Sequence, residues 1–164
     1  MNTTFARLLT FSTLALALGS AFAADSAPPA PTPAAAAADK LGAARAQIAA
    51  KNWSGAIDEL KKVNDTGSAD WNNLMGYSLR KAKTPDLAGS EKFYNDALRI
   101  DPKHKGTLEY SGELALMKGD LPTAEQRLAS LNKVCGAGCD ETVELKKAIE
   151  RYKAAGNKFV AGSW

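Results

Sequence analysis

The sequence predicts an all-α fold in which three helix-turn-helix repeats stack on one another and a C-terminal helix caps the last repeat. Three observations predict it. Alanine is abundant while aromatic residues make up only 7% of the 164 residues, a composition that favours close-packed helices over strands. A pattern of large and small residues recurs three times on a 34-residue step. Within each copy, apolar positions lie three and four residues apart, which is the spacing of an amphipathic helix.

Residues 1–23 have the layout of a secretory signal peptide. One basic residue, Arg7, precedes an apolar run over residues 8–18, and Ala21-Phe22-Ala23 supplies the small residues of a cleavage site. The alternative is a membrane anchor, but this run is much shorter than the roughly 20 residues needed to cross a bilayer. We therefore expect export to the bacterial periplasm and no membrane insertion once the leader is removed.

Residues 24–36 are rich in proline and alanine and contain almost nothing to bury. Proline lacks the backbone N–H that a helix uses as a hydrogen-bond donor, and it favours an extended chain. This segment is therefore predicted to be a disordered, semi-rigid linker. The alternative interpretation is a proline-rich ligand for another domain.

The repeats cover residues 37–138 and divide at about 37–68, 69–104 and 105–138. Four columns keep the 34-residue step, and they are Trp53/Leu87/Leu121, Ala56/Ser90/Ala124, Leu60/Tyr94/Leu128 and Val63/Ala97/Leu131. A further column of small residues, Ala44, Gly76 and Gly112, marks close approach of helices, but its two steps are unequal. Short insertions and deletions, which would make these two steps unequal, are expected in the turns between helices. Thr84-Pro85 and Asp120-Leu121-Pro122 are interpreted as helix starts with a polar cap and an early proline.

This period and pattern resemble the tetratricopeptide repeat family, whose motif is W-x₂-L-G-x₂-Y, then A-x₃-F, then P over 34 residues. The middle copy is closest, with Met75-Gly76-x-x-Leu79, Ser90-x-x-x-Tyr94 and a closing Pro102. The resemblance implies a right-handed α-solenoid whose first helices line a concave groove for a protein segment.

The resemblance also implies which side chains line that groove. The positions are Arg45, Asn73, Tyr77, Arg80, Lys81, Glu109 and Glu113. The groove would be basic in its first two repeats and acidic in the third; the alternative is that these residues are ordinary surface. The basic cluster with which the family grips a C-terminal carboxylate is not reproduced, because Gly106 and Tyr110 stand where its third-repeat members would be.

Residues 139–156 are predicted to form the capping helix, with Asp140 as its N-cap and Gly156 as its stop. Its buried stripe would consist of Leu145, Ala148, Ile149 and Tyr152. The tail, residues 157–164, carries Phe159 and Trp164, which either fold back on the last helix or dock on a partner.

The two cysteines, Cys135 and Cys139, lie between the last repeat and the capping helix. In an exported protein this arrangement predicts a disulfide. The alternatives are a thiol redox site, which is more often C-x-x-C, and a metal site, which would need further ligands. The sole histidine, His104, is interpreted as an exposed turn residue, so neither a metal nor a cofactor is predicted.

The remaining features favour binding over catalysis. The net charge of +3 is too small and too evenly spread for a nucleic-acid partner. We identify no phosphate loop and no His or paired-carboxylate constellation, so the sequence predicts no enzyme and no catalytic residue. We expect a non-catalytic protein–protein interaction module of the bacterial envelope that binds a partner segment in its groove. The alternatives are a structural subunit that self-associates in an envelope complex, and a cysteine-based redox or metal carrier. The sequence leaves the oligomeric state open.

Overall fold

A computed structural model describes residues 39–160, which form seven α-helices and no strand. The helices are α1 Gly42–Ala49, α2 Trp53–Val63, α3 Ala69–Lys81, α4 Leu87–Ile100, α5 Lys105–Met117, α6 Leu121–Cys135 and α7 Asp140–Ala154. The predicted all-α class is confirmed. The predicted leader and linker, and Trp164 of the tail, lie outside the described residues. Within them, every helix is too short or too polar to cross a membrane.

Consecutive helices pack in pairs. Helix α1 packs on α2, α3 on α4, and α5 on α6, and each pair contacts the next through α2–α3 and α4–α5. Helix α7 packs on both α5 and α6. The odd-numbered helices also contact one another in chain order, α1 with α3, α3 with α5, and α5 with α7. Residues on these four helices are therefore close enough to form one continuous surface.

The second helix of each pair begins in the same way. Its N-cap side chain accepts a hydrogen bond from the backbone N–H three residues later, which satisfies a donor that the helix leaves open. The caps and donors are Asn52 with Gly55 at 3.2 Å, Asp86 with Gly89 at 2.8 Å, and Asp120 with Thr123 at 3.0 Å. The first helical residues are Trp53, Leu87 and Leu121, the first column of the repeat.

The predicted start at Asp120, with Pro122 in the first turn, is confirmed. The predicted start at Thr84-Pro85 is wrong by two residues, because the side chain that reaches the open N–H belongs to Asp86. Helix α7 likewise begins at Asp140 with Cys139 as its N-cap, so the prediction that Asp140 is the cap is wrong by one residue.

Small residues allow close packing within these pairs and of α5 against α7. The column Ala56, Ser90 and Ala124 is fully buried. A methyl group placed on Gly76 would lie 2.7 Å from the ring of Tyr94, and one placed on Gly112 would lie 2.7 Å from the side chain of Leu145. Contacts this short would force the buried Tyr94 or Leu145 side chain to move, so glycine at both positions favours the close approach of the helices.

Two apolar clusters form the core. One gathers Leu41, Ala44, Leu60, Trp71, Leu74 and Met75. The other includes Leu108, Leu116 and Leu131 together with the predicted stripe of α7, namely Leu145, Ala148, Ile149 and Tyr152. The indole Nε1 of Trp71 donates to the carbonyl of Leu60 at 2.7 Å, which fixes α3 against the end of α2.

Candidate functional site

The sequence-predicted groove residues lie on three odd-numbered helices. Arg45 is on α1, four are on α3 and two are on α5. The residues on α3 are Asn73, Tyr77, Arg80 and Lys81, and those on α5 are Glu109 and Glu113. Because α3 and α5 are in contact, several of these side chains meet.

Arg80 and Glu113 meet in a buried ion pair. Arg80 Nη2 donates to Glu113 Oε2 at 2.5 Å, and the two residues are only 3% and 6% exposed. Burial by itself lowers the pKa of Arg80, but Tyr94 and Glu113 outweigh this effect and raise that pKa. The guanidinium therefore stays charged. A buried charge is tolerated when it is paired, so this pair joins α3 to α5 and neither side chain lies on the surface.

Three aromatic side chains form a row beside this pair. The rings of Tyr77 and Tyr110 are 4.6 Å apart, and the ring of Trp53 is 5.8 Å from that of Tyr77. The guanidinium carbon of Arg80 lies 5.6 Å from the centroids of both tyrosine rings, within the range of a cation–π contact. All three ring-bearing residues are half-buried. We call Trp53, Tyr77 and Tyr110 the aromatic row.

Sequence reasoning did not include Trp53 or Tyr110 among the site residues. Trp53 belongs to the first repeat column, and Tyr110 was noted only where a basic residue would stand in the family. The sequence did contain a signal for this row, since each of the three successive repeats contributes one of its aromatic residues. Their contact depends on the offset between α3 and α5, which periodicity alone does not give.

Glu109 lies next to Tyr110 on α5 and is half-buried. Burial, then the charges of Glu113 and Glu141, raise the pKa of its carboxyl to about 8. Within residues 39–160 no hydrogen bond or ion pair compensates this carboxylate. Burial and Glu109 together also raise the pKa of Tyr110. The end of the aromatic row at α5 is therefore acidic.

The other end of the row is basic. A groove of about 260 Å³ at the start of α2 is lined by residues that include Trp53, Ile57, Lys51 and Lys83. Burial, then the charges of Arg80 and Lys51, lower the pKa of nearby Lys81. The row thus runs from a lysine-rich end at Trp53 to a glutamate-rich end at Tyr110.

Polar contacts at the N-terminal ends of α3 and α5 hold the two helices in register. His104 Nε2 lies 3.0 Å from Asp70 Oδ1, and Thr107 Oγ1 donates to Asn73 Oδ1 at 3.1 Å. Arg45 reaches Asp70 at 3.6 Å from α1. Asn73 is buried in these contacts. They stabilise the arrangement on which the aromatic row depends.

The interpretation of His104 as an exposed turn residue is wrong. Its side chain is only 16% exposed, and its Nδ1 accepts a hydrogen bond from the backbone N–H of Thr107 at 3.1 Å. It is therefore the N-cap of α5. The ring caps α5 in the way that Asn52, Asp86 and Asp120 cap α2, α4 and α6.

Cys135 and Cys139 lie at disulfide distance, with sulfur atoms 1.99 Å apart, as predicted. The bond joins the last residue of α6 to the N-cap of α7. Glu141 lies near enough for one of its oxygens to be within 4.8 Å of both sulfurs. A metal ion would require thiolates, so these three residues could act as ligands only after the disulfide is reduced.

A separate polar cavity of about 90 Å³ lies among α4, α5 and α6. Its lining includes Tyr94 and Arg127, and Tyr94 Oη and Arg127 Nε are both buried without a hydrogen-bond partner in the described part of the chain. Lys118 at its rim pairs with Glu91 at 2.7 Å. The cavity has room for several water-sized molecules.

No family model matches the sequence, and no curated protein matches it either. The resemblance to tetratricopeptide repeats is therefore carried by the residues and the period described above. Function has to be argued from the aromatic row and its charged ends.

Proposed function

We propose that this protein is a tetratricopeptide-like, right-handed α-solenoid, capped by α7, that acts as a non-catalytic protein-binding module. A segment of another protein lies along the aromatic row. The observation that carries the proposal is that three successive helix pairs each contribute one half-exposed aromatic side chain to a single continuous row.

The solenoid is supported by two regularities. The odd-numbered helices contact one another in chain order, and α2, α4 and α6 begin with equivalent caps on one 34-residue step. Repeats of this kind stack because a single unit cannot bury its apolar face alone. The stack then presents its first helices along one face.

The aromatic row suits recognition for physical reasons. Tyrosine and tryptophan offer a large contact area with few rotatable bonds, and they are enriched at interfaces. The Arg80–Glu113 pair beneath the tyrosines and the His104–Asp70 contact hold the helices that carry the rings. A surface that is already in place before the partner arrives loses little entropy on binding.

The test is site-specific photo-crosslinking in cells. Benzoylphenylalanine, which is similar in shape to tyrosine, replaces Tyr77 in one variant and Gln126, an exposed residue of α6, in a control. We expect a discrete protein adduct from position 77 and none from position 126. Adducts from both positions, or from 126 alone, would contradict the proposed face. An adduct between two copies of this chain would favour the self-associating subunit.

Export belongs to the same proposal. The leader at residues 1–23 would direct the chain to the periplasm of a bacterium, where its partner would be met. N-terminal sequencing of the protein from a periplasmic fraction should read from Ala24. Recovery of chains that still begin at Met1 from the cytoplasm would contradict export.

A further inference from the structure

A cation lies on the packing face of α6. Arg127 follows Ala124 by three residues and precedes Leu131 by four, and both of these neighbours are fully buried. Residues at this spacing share one face of a helix. A methyl group placed on Gly112 of α5 would lie 3.3 Å from the Cβ of Arg127. The base of the arginine side chain is therefore packed between α5 and α6.

The preceding repeat has an apolar residue at the equivalent position. Phe93 lies one 34-residue step before Arg127. It packs against the first core cluster, with its ring 5.7 Å from that of Trp71. In the third repeat a guanidinium replaces the phenyl ring, and it borders the polar cavity of about 90 Å³ among α4, α5 and α6. Packing of the helices alone does not require a cation here.

The charge of Arg127 is not compensated by the fold. Its Nε is buried without a hydrogen-bond partner, and within residues 39–160 the side chain forms no hydrogen bond and no ion pair. Burial lowers its pKa, but an arginine stays charged in proteins. A half-buried charge without a partner costs free energy, and a negative ligand in the cavity would offset this cost.

We propose that the cavity among α4, α5 and α6 binds one carboxylate group, which the guanidinium of Arg127 holds. None of the residues that line this cavity belongs to the aromatic row. The site is therefore additional to the proposed protein-binding face and does not depend on it.

The lining of the cavity fits such a ligand. The paired N–H groups of a guanidinium match the two oxygens of a carboxylate. Asn95 of α4 and Ser111 of α5 also line the cavity, and both side chains can donate hydrogen bonds. Tyr94 and Leu114 are buried and form its inner wall. Space for several water-sized molecules is enough for a carboxylate on a short carbon chain.

Two carboxylates at the cavity limit the charge of the ligand. Both oxygens of Glu91 lie 2.7 Å from Lys118 Nζ, and Asp120 accepts a hydrogen bond from the backbone N–H of Thr123 at 3.0 Å. These two acids are therefore engaged with their own partners and leave Arg127 unpaired. Their negative charges would repel a phosphate dianion more strongly than a monoanion, which favours a carboxylate.

The experiment follows the Nε–H signal of Arg127 by NMR of the isotope-labelled protein. The signal is assigned by its absence from Arg127→Met. Acetate, titrated at constant ionic strength against chloride, should shift this signal saturably, with half-saturation at about 1–10 mM. Chloride alone should not. The Nε–H signal of Arg99, an exposed arginine of α4 paired with Asp96, is the internal control and should not shift.

Substitution separates ligand binding from folding. Arg127→Met should weaken acetate binding at least about tenfold, as read from the backbone amide signals of Ser111 and Thr123. Arg99→Gln is the matched control and should bind acetate as the original protein does. Arg127→Met removes a charge that has no partner, so its melting temperature should not fall. A loss of binding with unchanged stability would not follow from a purely structural role.

The carboxylate has two possible sources, a free small acid and an acidic side chain of another protein. Two short peptides that differ only in one central glutamate or glutamine distinguish them in the same titration. Shifts with acetate alone would assign a free acid, and shifts with the glutamate peptide would assign a side chain. Absence of a shift with either ligand, equal shifts with chloride, or acetate binding that survives Arg127→Met would overturn the inference.

Discussion

Arg80 and Glu113, 33 residues apart in the chain, form an ion pair that is almost completely buried between α3 and α5. The guanidinium simultaneously lies near both tyrosine rings of the aromatic row. The pair therefore links the stability of the helix stack to the position of the surface that we propose binds a partner.

Removing one member of this pair should be strongly destabilising. Glu113→Ala leaves Arg80 charged and buried, and we expect a loss of about 3–5 kcal/mol in the free energy of unfolding. Urea denaturation followed by circular dichroism measures it. The double variant Arg80→Met with Glu113→Leu should recover most of the loss, because two apolar side chains leave no uncompensated charge. A loss below about 1 kcal/mol for Glu113→Ala would show that the pair is not buried as described.

Gly76 should not tolerate a methyl group. Gly76→Ala puts its new carbon 2.7 Å from the buried ring of Tyr94 and 3.1 Å from the carbonyl oxygen of Ser90. Overpacking of this kind costs about 1–3 kcal/mol. We expect this cost to exceed the stabilisation that alanine gains over glycine from its higher helix propensity. Gly42→Ala is the matched control, since only Asp39 lies near, at 3.7 Å. Thermal unfolding should show a lower melting temperature for Gly76→Ala alone.

The raised pKa of Glu109 predicts a dependence of stability on pH. The carboxyl titrates near pH 4.5 when the chain is unfolded and at about 8 when it is folded, so the native state binds the extra proton between these values. Stability contributed by this group is therefore fully present at low pH and is lost as the pH rises toward 8.

Glu109→Gln removes this loss of stability at high pH, because a glutamine side chain does not titrate. We expect it to stabilise the protein at pH 8 by about 1–2 kcal/mol, a figure discounted for solvent screening of a half-buried group, and to have little effect at pH 4.5. Urea titrations at the two pH values measure the difference, and Glu150→Gln provides the control. A variant that is no more stable than the original protein at pH 8 would contradict the environment described for Glu109.

The disulfide should stabilise the junction of α6 and α7 without being needed for helix formation. The double variant Cys135→Ser with Cys139→Ser should lose about 2–3 kcal/mol, because the cross-link no longer restricts the unfolded chain, and should keep its circular dichroism spectrum. Reductant should destabilise the original protein and leave the serine variant unchanged. Free thiols in protein isolated under alkylating conditions would instead support the redox or metal carrier.

The sequence predicted the parts of this fold that are fixed locally. The cap at Asp120 and the proline after it correctly placed the start of α6, and the apolar stripe of α7 is buried as expected. Asp86 was missed because Thr84-Pro85 has the same composition as a helix start, and only geometry shows which side chain reaches the open N–H. The same limitation applied to His104, since a histidine cap has no distinctive pattern around it.

The candidate site could be predicted only in part. The family resemblance, not the residue pattern alone, assigned Tyr77, Arg80 and Glu113 to a groove lined by the first helices of the repeats. It could not show that Arg80 and Glu113 would pair and become buried, nor that the rings of Tyr110 and Tyr77 would be in contact, because both depend on the offset between α3 and α5. The family resemblance, the cellular compartment and the binding function remain predictions.

The position of Trp53 provides the protein with an optical reporter. Its indole is half-buried at one end of the row, whereas Trp71 is buried and hydrogen-bonded to the carbonyl of Leu60. A ligand lying along the row would exclude water from Trp53 and shift its emission to shorter wavelength, leaving that of Trp71 unchanged. Occupancy could thus be followed by intrinsic fluorescence, with Trp53→Phe as the silent reference, before any partner is known.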